Sequence, residues 1–180
     1  YKRQVFVVVL CFILTYLFGI PQEAINPDKE DLTADEYFVS PAKGKIIALE
    51  EVPDKTFSQK LLGDGFAIDI TDGKIIAPIS GKLETVFPSG HAFGIKGANG
   101  EVLLHIGIDT VSLNGEGFDV KVKQGDFVKQ GDVLVNVDLD KIHQLGKSTL
   151  TMVLFTEGNK VKNNNLNKEV QVNEQIDITF

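Results

Sequence analysis

Residues 101–109 read EVLLHIGID. In a β-strand, side chains alternate between two faces. Val102, Leu104, Ile106 and Ile108 then form one apolar face, expected against a core. Leu103, His105, Gly107 and Asp109 form the other. That second face sets a histidine beside a residue with no side chain, with a carboxylate four positions on. Gly107 is expected to leave open space beside the imidazole, where a ligand or partner approaches.

The chain around this stretch is punctuated for β structure. Runs at 45–49, 66–70, 74–76 and 82–87 are separated by Gly, Pro and Asp. The pattern predicts one short helix, over 139–147. Two internal echoes stand out. Ser40-Pro-Ala-Lys-Gly-Lys-Ile46 resembles Ala77-Pro-Ile-Ser-Gly-Lys-Leu83, each leading into a strand. Lys123-Gln-Gly-Asp-Phe-Val128 is followed at once by Lys129-Gln-Gly-Asp-Val-Leu134. Together they point to a duplicated β architecture whose strands turn corners at Gly-Asp.

Composition bounds the rest. The chain has 180 residues, 43% of them hydrophobic, enough for one domain with a normal core and an appendage. A net charge of -7 excludes the basic stripe of a nucleic-acid surface. The single cysteine, Cys11, excludes an intrachain disulfide. Residues 5–14 are an unbroken apolar run, and only Thr15 and Gly19 interrupt it before Ile20 and Pro21. A helix of that length spans roughly 24 Å, a little short of a bilayer core of about 30 Å. Residues 1–21 are therefore expected to be the end of a truncated transmembrane helix. A signal peptide lacks a small-x-small cleavage site near residues 19–24. The acidic, turn-rich stretch 22–37 reads as a solvated linker, and the domain is expected over 38–180.

Of three histidines, His143 falls in the expected helix and is assigned a solvated or structural role. His91 and His105 flank a hairpin turn in residues 97–100. A three-residue loop, 97–99, sets His91 opposite His105. A two-residue loop, Ala98 and Asn99, puts them on opposite faces. Both registers stay open at this stage. The chain has no G-x-S-x-G, no H-E-x-x-H and no cysteine cluster. Two chemistries remain: His105, His91 and Asp109 as zinc ligands, or an imidazole as nucleophile. With an ordinary pKa near 6.5 the ring offers a neutral nitrogen at cytoplasmic pH, and a second histidine steadies a group landing on it.

Gly90-His-Ala-Phe-Gly-Ile95, Leu103-Leu-His-Ile-Gly-Ile-Asp-Thr-Val111 and Leu113-Asn-Gly-Glu-Gly-Phe118 closely resemble the glucose-type enzyme IIA domain of the bacterial sugar phosphotransferase system. So do Val52-Pro-Asp-Lys-Thr-Phe57 and Leu62-Gly-Asp-Gly-Phe-Ala-Ile68. The resemblance covers about residues 38–180. It implies an all-β, antiparallel sandwich of duplicated-hybrid type that carries a phosphoryl group and uses no metal or cofactor. His105 matches the phosphorylated histidine and His91 the second active-site histidine, with Ser89 where the family usually has Thr. The family implies that backbone near Gly107 orients His105. It also implies an exposed apolar docking rim at Phe57, Phe87 and Leu103, with Asp54 and Asp109 nearby. The implied partners are the phosphocarrier HPr and an enzyme IIB domain. The segment at 5–20 resembles the end of a membrane enzyme IIC, as in fused permeases of β-glucoside or sucrose type, with the IIA domain cytoplasmic. The loop between Gly97 and Glu101 looks one residue shorter than is usual. Two alternatives are a zinc peptidase of the same fold, whose late His-x-His pair is missing here, and a lipoyl-like carrier or interaction module.

Overall fold

The computed structural model of the protein describes residues 34–158 and 160–179. The apolar segment at 5–20 and most of the acidic linker lie outside these residues. Among those described, no helix is long and apolar enough to cross a membrane.

The backbone is almost wholly β and antiparallel. Strands β1 (Phe38–Val39), β2 (Gly44–Ala48), β3 (Asp64–Ile70), β4 (Lys74–Ile76), β5 (Gly81–Val86), β6 (Ala92–Gly97) and β7 (Gly100–Ile108) come first. Then follow β8 (Phe118–Val120), β9 (Phe127–Val128), β10 (Val133–Val137) and β11 (Ser148–Phe155), and four two-residue strands, β12 (Lys162–Asn163), β13 (Glu169–Val170), β14 (Gln175–Ile176) and β15 (Ile178–Thr179). An eight-stranded sheet runs β13-β2-β3-β11-β7-β6-β5-β9 and a three-stranded one β4-β10-β8. The expected helix forms as Leu139–Gln144 (α2), started by the Asp138 carboxylate on the Lys141 N–H. Sequence periodicity missed a shorter one, Lys55–Ser58 (α1), preceded by a 3₁₀ turn at Leu49–Glu51. One turn of helix is too short to leave a hydrophobic period.

Apolar side chains fill both faces of the large sheet. Phe66, Ile68, Phe93, Ile95, Leu104, Ile106 and Val153 pack with Ile75, Leu134 and Val135 of the smaller sheet in one core. Each such side chain contributes about 1.5–3 kcal/mol. A second cluster lies on the opposite face: Ala67, Met152 and Leu154 of the sheet, covered by Leu49, Val52 and Phe57. The alternation expected of β7 holds through Ile106 and then fails. Ile108 joins the second cluster together with Leu103, not the core of Val102, Leu104 and Ile106. The cause is Gly107 at φ +78°, which reverses the phase of the chain.

The sequence echoes become a duplicated set of corners. Ser40 N–H donates to Glu174 O, and Asn173 N–H donates to Ser40 O. Ala77 N–H donates to Asp132 O in the same way, and Gly131 N–H to Ala77 O. Ile46 is tied to Asn167 and Lys168, as Leu83 is tied to Gly125 and Asp126. Left-handed Asn167 and Asn173 stand where the other half has Gly125 and Gly131, which is why the second pair of corners leaves no Gly-Asp signature. Packing starts before Phe38. The Asp35 carboxylate holds the Ser80 N–H and hydroxyl, so the last residues assigned to the linker are docked.

Each half opens its first long strand with a glycine under its neighbour's carbonyl. A Cβ on Gly44 would lie 2.1 Å from Asp69 O, and one on Gly81 would lie 2.4 Å from Lys96 O. Gly44→Ala and Gly81→Ala are each expected to cost about 1–3 kcal/mol. Urea midpoints check this, and an unchanged midpoint in either variant would show that the strand start yields freely.

Candidate functional site

The β6–β7 hairpin is closed by Ala98 and Asn99, because Gly97 pairs with Gly100 and Ile95 with Val102. This two-residue connection sets Ala92, not His91, across from His105. On alternation alone the imidazoles would part. Instead their ring centroids are 5.0 Å apart, edge to face at 74°. His91 precedes β6, so strand alternation does not govern it. Gly90 before it is left-handed at φ +67°, and a side chain there would meet Val120 Cγ2 at 2.5 Å. The turn brings Ser89 Oγ within 2.6 Å of His91 Nδ1. The His91 carbonyl meanwhile accepts the Ile106 N–H at 2.7 Å, closing the hairpin's base.

His105 Nδ1 lies 3.0 Å from Gly107 O. A carbonyl only accepts, so Nδ1 carries the proton and Nε2 keeps a free lone pair. The open space expected beside Gly107 is not there. A Cβ on it would lie 2.3 Å from Thr110 Cγ2 and 2.5 Å from Ser148 O. Glycine is needed here for its conformation and for close packing, not to admit a ligand.

The rings have aromatic neighbours. Phe57 stands 4.9 Å from His105 and Phe87 5.1 Å from His91. The two differ in exposure. Phe87 is 43% exposed, whereas Phe57 is 5% exposed and belongs to the second apolar cluster. Phe57 was expected on an exposed rim; it is a buried wall, because α1 lies over the sheet with Phe57 as its inward residue. Leu103 is half-buried beside the same cluster. Asp54 caps α1 through the Thr56 and Phe57 N–H groups, which fixes it near His105. Asp109 is exposed and left-handed, and its carbonyl takes the Ser112 N–H and hydroxyl. His143, on α2, is exposed and meets Thr149 Oγ1 at 3.2 Å. Two residues near His105 carried no signal of their own. Met152 faces it across β11 and is fully buried, and Thr110 supports Gly107 from below. Both read as ordinary members of apolar or turn sequence.

Burial pushes the His105 ring down to about 4, and the neighbouring His91 adds to this. The Gly107 carbonyl and the Asp54 charge oppose it. Burial also lowers His91. Both rings are therefore neutral near pH 7, and His105 offers an uncharged nucleophilic nitrogen in a site partly stripped of water. Among the described residues no group of three or more His, Cys, Asp or Glu side chains is placed to hold a metal ion. The zinc set of His91, His105 and Asp109 thus does not assemble.

Residues 36–161 match the family described as phosphoenolpyruvate-dependent sugar phosphotransferase system, EIIA 1. The glucose-specific EIICBA component of Streptococcus pneumoniae serotype 4 is 49% identical over 140 residues, 77% of this chain and 19% of that protein. The glucose-specific EIIA component of Halalkalibacterium halodurans is 45% identical over 141 residues, 78% of this chain and 80% of that one. The glucosamine-specific EIICBA component of Bacillus subtilis is 45% identical over 138 residues, 76% and 21% of the two chains. The chain thus spans about a fifth of the EIICBA relatives it matches. The solved glucose permease IIA from Mycoplasma capricolum superposes with a TM-score of 0.72 at 43% identity, covering 79% of this chain and 94% of that one.

The lowered His105 has a consequence for acid stability. Between pH 6.5 and about 4 the unfolded chain binds a proton at this ring that the folded chain refuses. Stability is then full above pH 6.5 and falls as the pH drops through that window, by on the order of 3 kcal/mol from this ring. Urea titrations at pH 7 and pH 4.5 check it. His105→Gln should lose less stability on acidification than the parent, and an equal loss would mean the ring is not held neutral by the fold.

Proposed function

The chain belongs to the EIIA 1 family of the phosphoenolpyruvate-dependent sugar phosphotransferase system, and we propose that it carries a phosphoryl group on Nε2 of His105. The observation that carries this reading is the Gly107 carbonyl on His105 Nδ1, which leaves Nε2 unprotonated beside a second imidazole. The donor is phospho-HPr. As the bond from phosphorus to its imidazole nitrogen breaks, the bond to His105 Nε2 forms, and the electron pair returns to the donor ring. Catalysis of such a transfer rests on alignment and on stabilising spread charge.

His91 supplies that stabilisation. Ser89 Oγ lies 2.6 Å from its Nδ1, and in this role the hydroxyl donates to that nitrogen. Nε2–H of His91 is then free to donate to a phosphoryl oxygen. The acceptor is an enzyme IIB domain, whose cysteine thiolate takes phosphorus from His105 in the second transfer. The names of the S. pneumoniae and B. subtilis relatives as EIICBA components support a permease in which such a domain is linked to this one. The domain then works on the cytoplasmic side of the membrane, attached through the apolar segment at 5–20. These relatives are named for glucose and glucosamine, not for the β-glucoside or sucrose type.

Incubation with phosphoenolpyruvate, enzyme I and HPr, followed by mass spectrometry, tests the assignment. The parent should gain one acid-labile phosphate and His105→Gln none. His91→Gln should accept phosphate but pass it to a IIB domain about 10²–10³-fold more slowly, as expected for loss of a single donor to developing charge. Phosphate on His105→Gln at the parental level would sink the assignment.

Docking divides the apolar residues. Phe87 is exposed beside His91 and suits a partner surface, from which water must be displaced for an in-line handover. Phe87→Ser should slow transfer from HPr while shifting stability by no more than about 0.5 kcal/mol. Phe57→Ser, in contrast, should cost about 3–5 kcal/mol, since it empties a buried site. Transfer kinetics with thermal melts check both. Parental transfer by Phe87→Ser would place the docking face elsewhere.

A further inference from the structure

The ladder between β7 and β11 breaks next to the catalytic ring. Thr151 pairs with Ile106, but the next registered pair is Ser148 with Ile108, so the register shifts between them. Such a break leaves backbone groups near Gly107 in need of partners other than those of a regular ladder. Two side chains supply them. His105 Nδ1–H donates to Gly107 O at 3.0 Å, and the Thr110 hydroxyl donates to Ile106 O at 2.6 Å. Thr110 is fully buried, and its Cγ2 lies where a Cβ of Gly107 would be, 2.3 Å from that position. One threonine therefore holds the carbonyl before Gly107 with its hydroxyl and fills the space against Gly107 with its methyl.

We propose that Thr110 is a positioning residue that aims the Gly107 carbonyl at His105 and so fixes which ring nitrogen is free to react. The inference rests on the phosphoryl-carrier reading for its functional consequence, but its structural part stands apart from it. The Gly107 peptide can point its carbonyl at the ring only while the chain stays left-handed there, at φ +78°. Asp109 follows in a second left-handed conformation, at φ +59°. Gly107 adopts its positive φ without steric cost, but a non-glycine such as Asp109 persists in that region only where the surroundings over-determine it. The Thr110 hydroxyl, bonded four residues back, closes this segment into a loop. Without it, Ile106 O is buried without that partner and the segment gains a reason to rearrange. The Gly107 carbonyl then loses its aim, and the His105 proton is shared between Nδ1 and Nε2. A proton on Nε2 occupies the lone pair that attacks phosphorus.

Nitrogen NMR of the imidazoles, with the full chain and no other protein present, reads the tautomer directly. The parent should show His105 protonated on Nδ1 alone near pH 7. Thr110→Val keeps the bulk and removes the hydroxyl; it should show a mixed tautomer and about tenfold slower phosphoryl uptake from phospho-HPr. Thr110→Ser restores the hydroxyl and should bring back the single tautomer and most of the rate. A single Nδ1–H tautomer in folded Thr110→Val would overturn the proposal, and so would a mixed tautomer in the parent. Should Thr110→Val fail to fold, Thr110→Ser decides, because a mixed tautomer there excludes the hydroxyl as the controlling group. The carrier reading fails separately: it does so if the parent, with its single tautomer, accepts no phosphate.

Discussion

The site depends on one hydrogen bond, from His105 Nδ1–H to the Gly107 carbonyl. An imidazole has two nearly equivalent nitrogens, and a nucleophile needs one of them bare. A backbone carbonyl makes the choice without introducing charge. A carboxylate in its place would also hold the proton on Nδ1, but it would favour the imidazolium and raise the ring's affinity for protons. The Gly107 carbonyl does raise the ring somewhat, yet burial outweighs it and leaves the ring near 4. The bond exists because β7 stops being a strand at that residue. A regular strand would turn the Gly107 carbonyl toward a neighbour in the sheet.

The second apolar cluster serves this chemistry as much as stability. Leu49, Val52 and Phe57 are carried by a 3₁₀ turn and a single helical turn laid over the outer face of the sheet. Such short helical pieces are marginal without packing. Their role is to bring Phe57 against His105 and so remove water from one side of the ring. The same segment supplies Asp54, whose carboxylate is committed to capping α1 and opposes the lowering of His105 from a fixed place. Desolvation and a restraining charge thus come from one short excursion between β2 and β3.

The all-β class, the duplication and the second helix were legible because each leaves a local signature: alternation, repeated turn residues, a helical period. The face of β7 carrying His105 was legible for the same reason as far as Ile106. Beyond that, alternation assumes an unbroken ladder, and Gly107 breaks it, so Ile108 was assigned to the wrong face. The pairing of the histidines was beyond strand counting altogether. It depends on His91 lying one residue outside β6, after a left-handed glycine whose missing side chain also leaves room for distant Val120. Phe57 was misplaced on an exposed rim for a related reason. The rim was carried over from the family resemblance residue by residue, and the packing of α1 on the sheet, which buries Phe57, leaves no local signature in the sequence.

The contrast between the two phenylalanines leaves the pair of imidazoles shielded on one side and open on the other. Had both covered their histidines as Phe57 does, desolvation would be complete and no partner would reach Nε2. Had both been exposed, water would share the site and weaken every interaction that stabilises charge in transfer. Phe57 closes one side permanently, at 5% exposure, while Phe87 is left 43% exposed beside His91. The open side is therefore bordered by apolar surface that bulk solvent wets and that, in the proposed transfer, a protein partner would dry on contact. In the proposed transfer, exclusion of water would be divided between the fold, which supplies its part in every state, and the partner, which would complete it on docking.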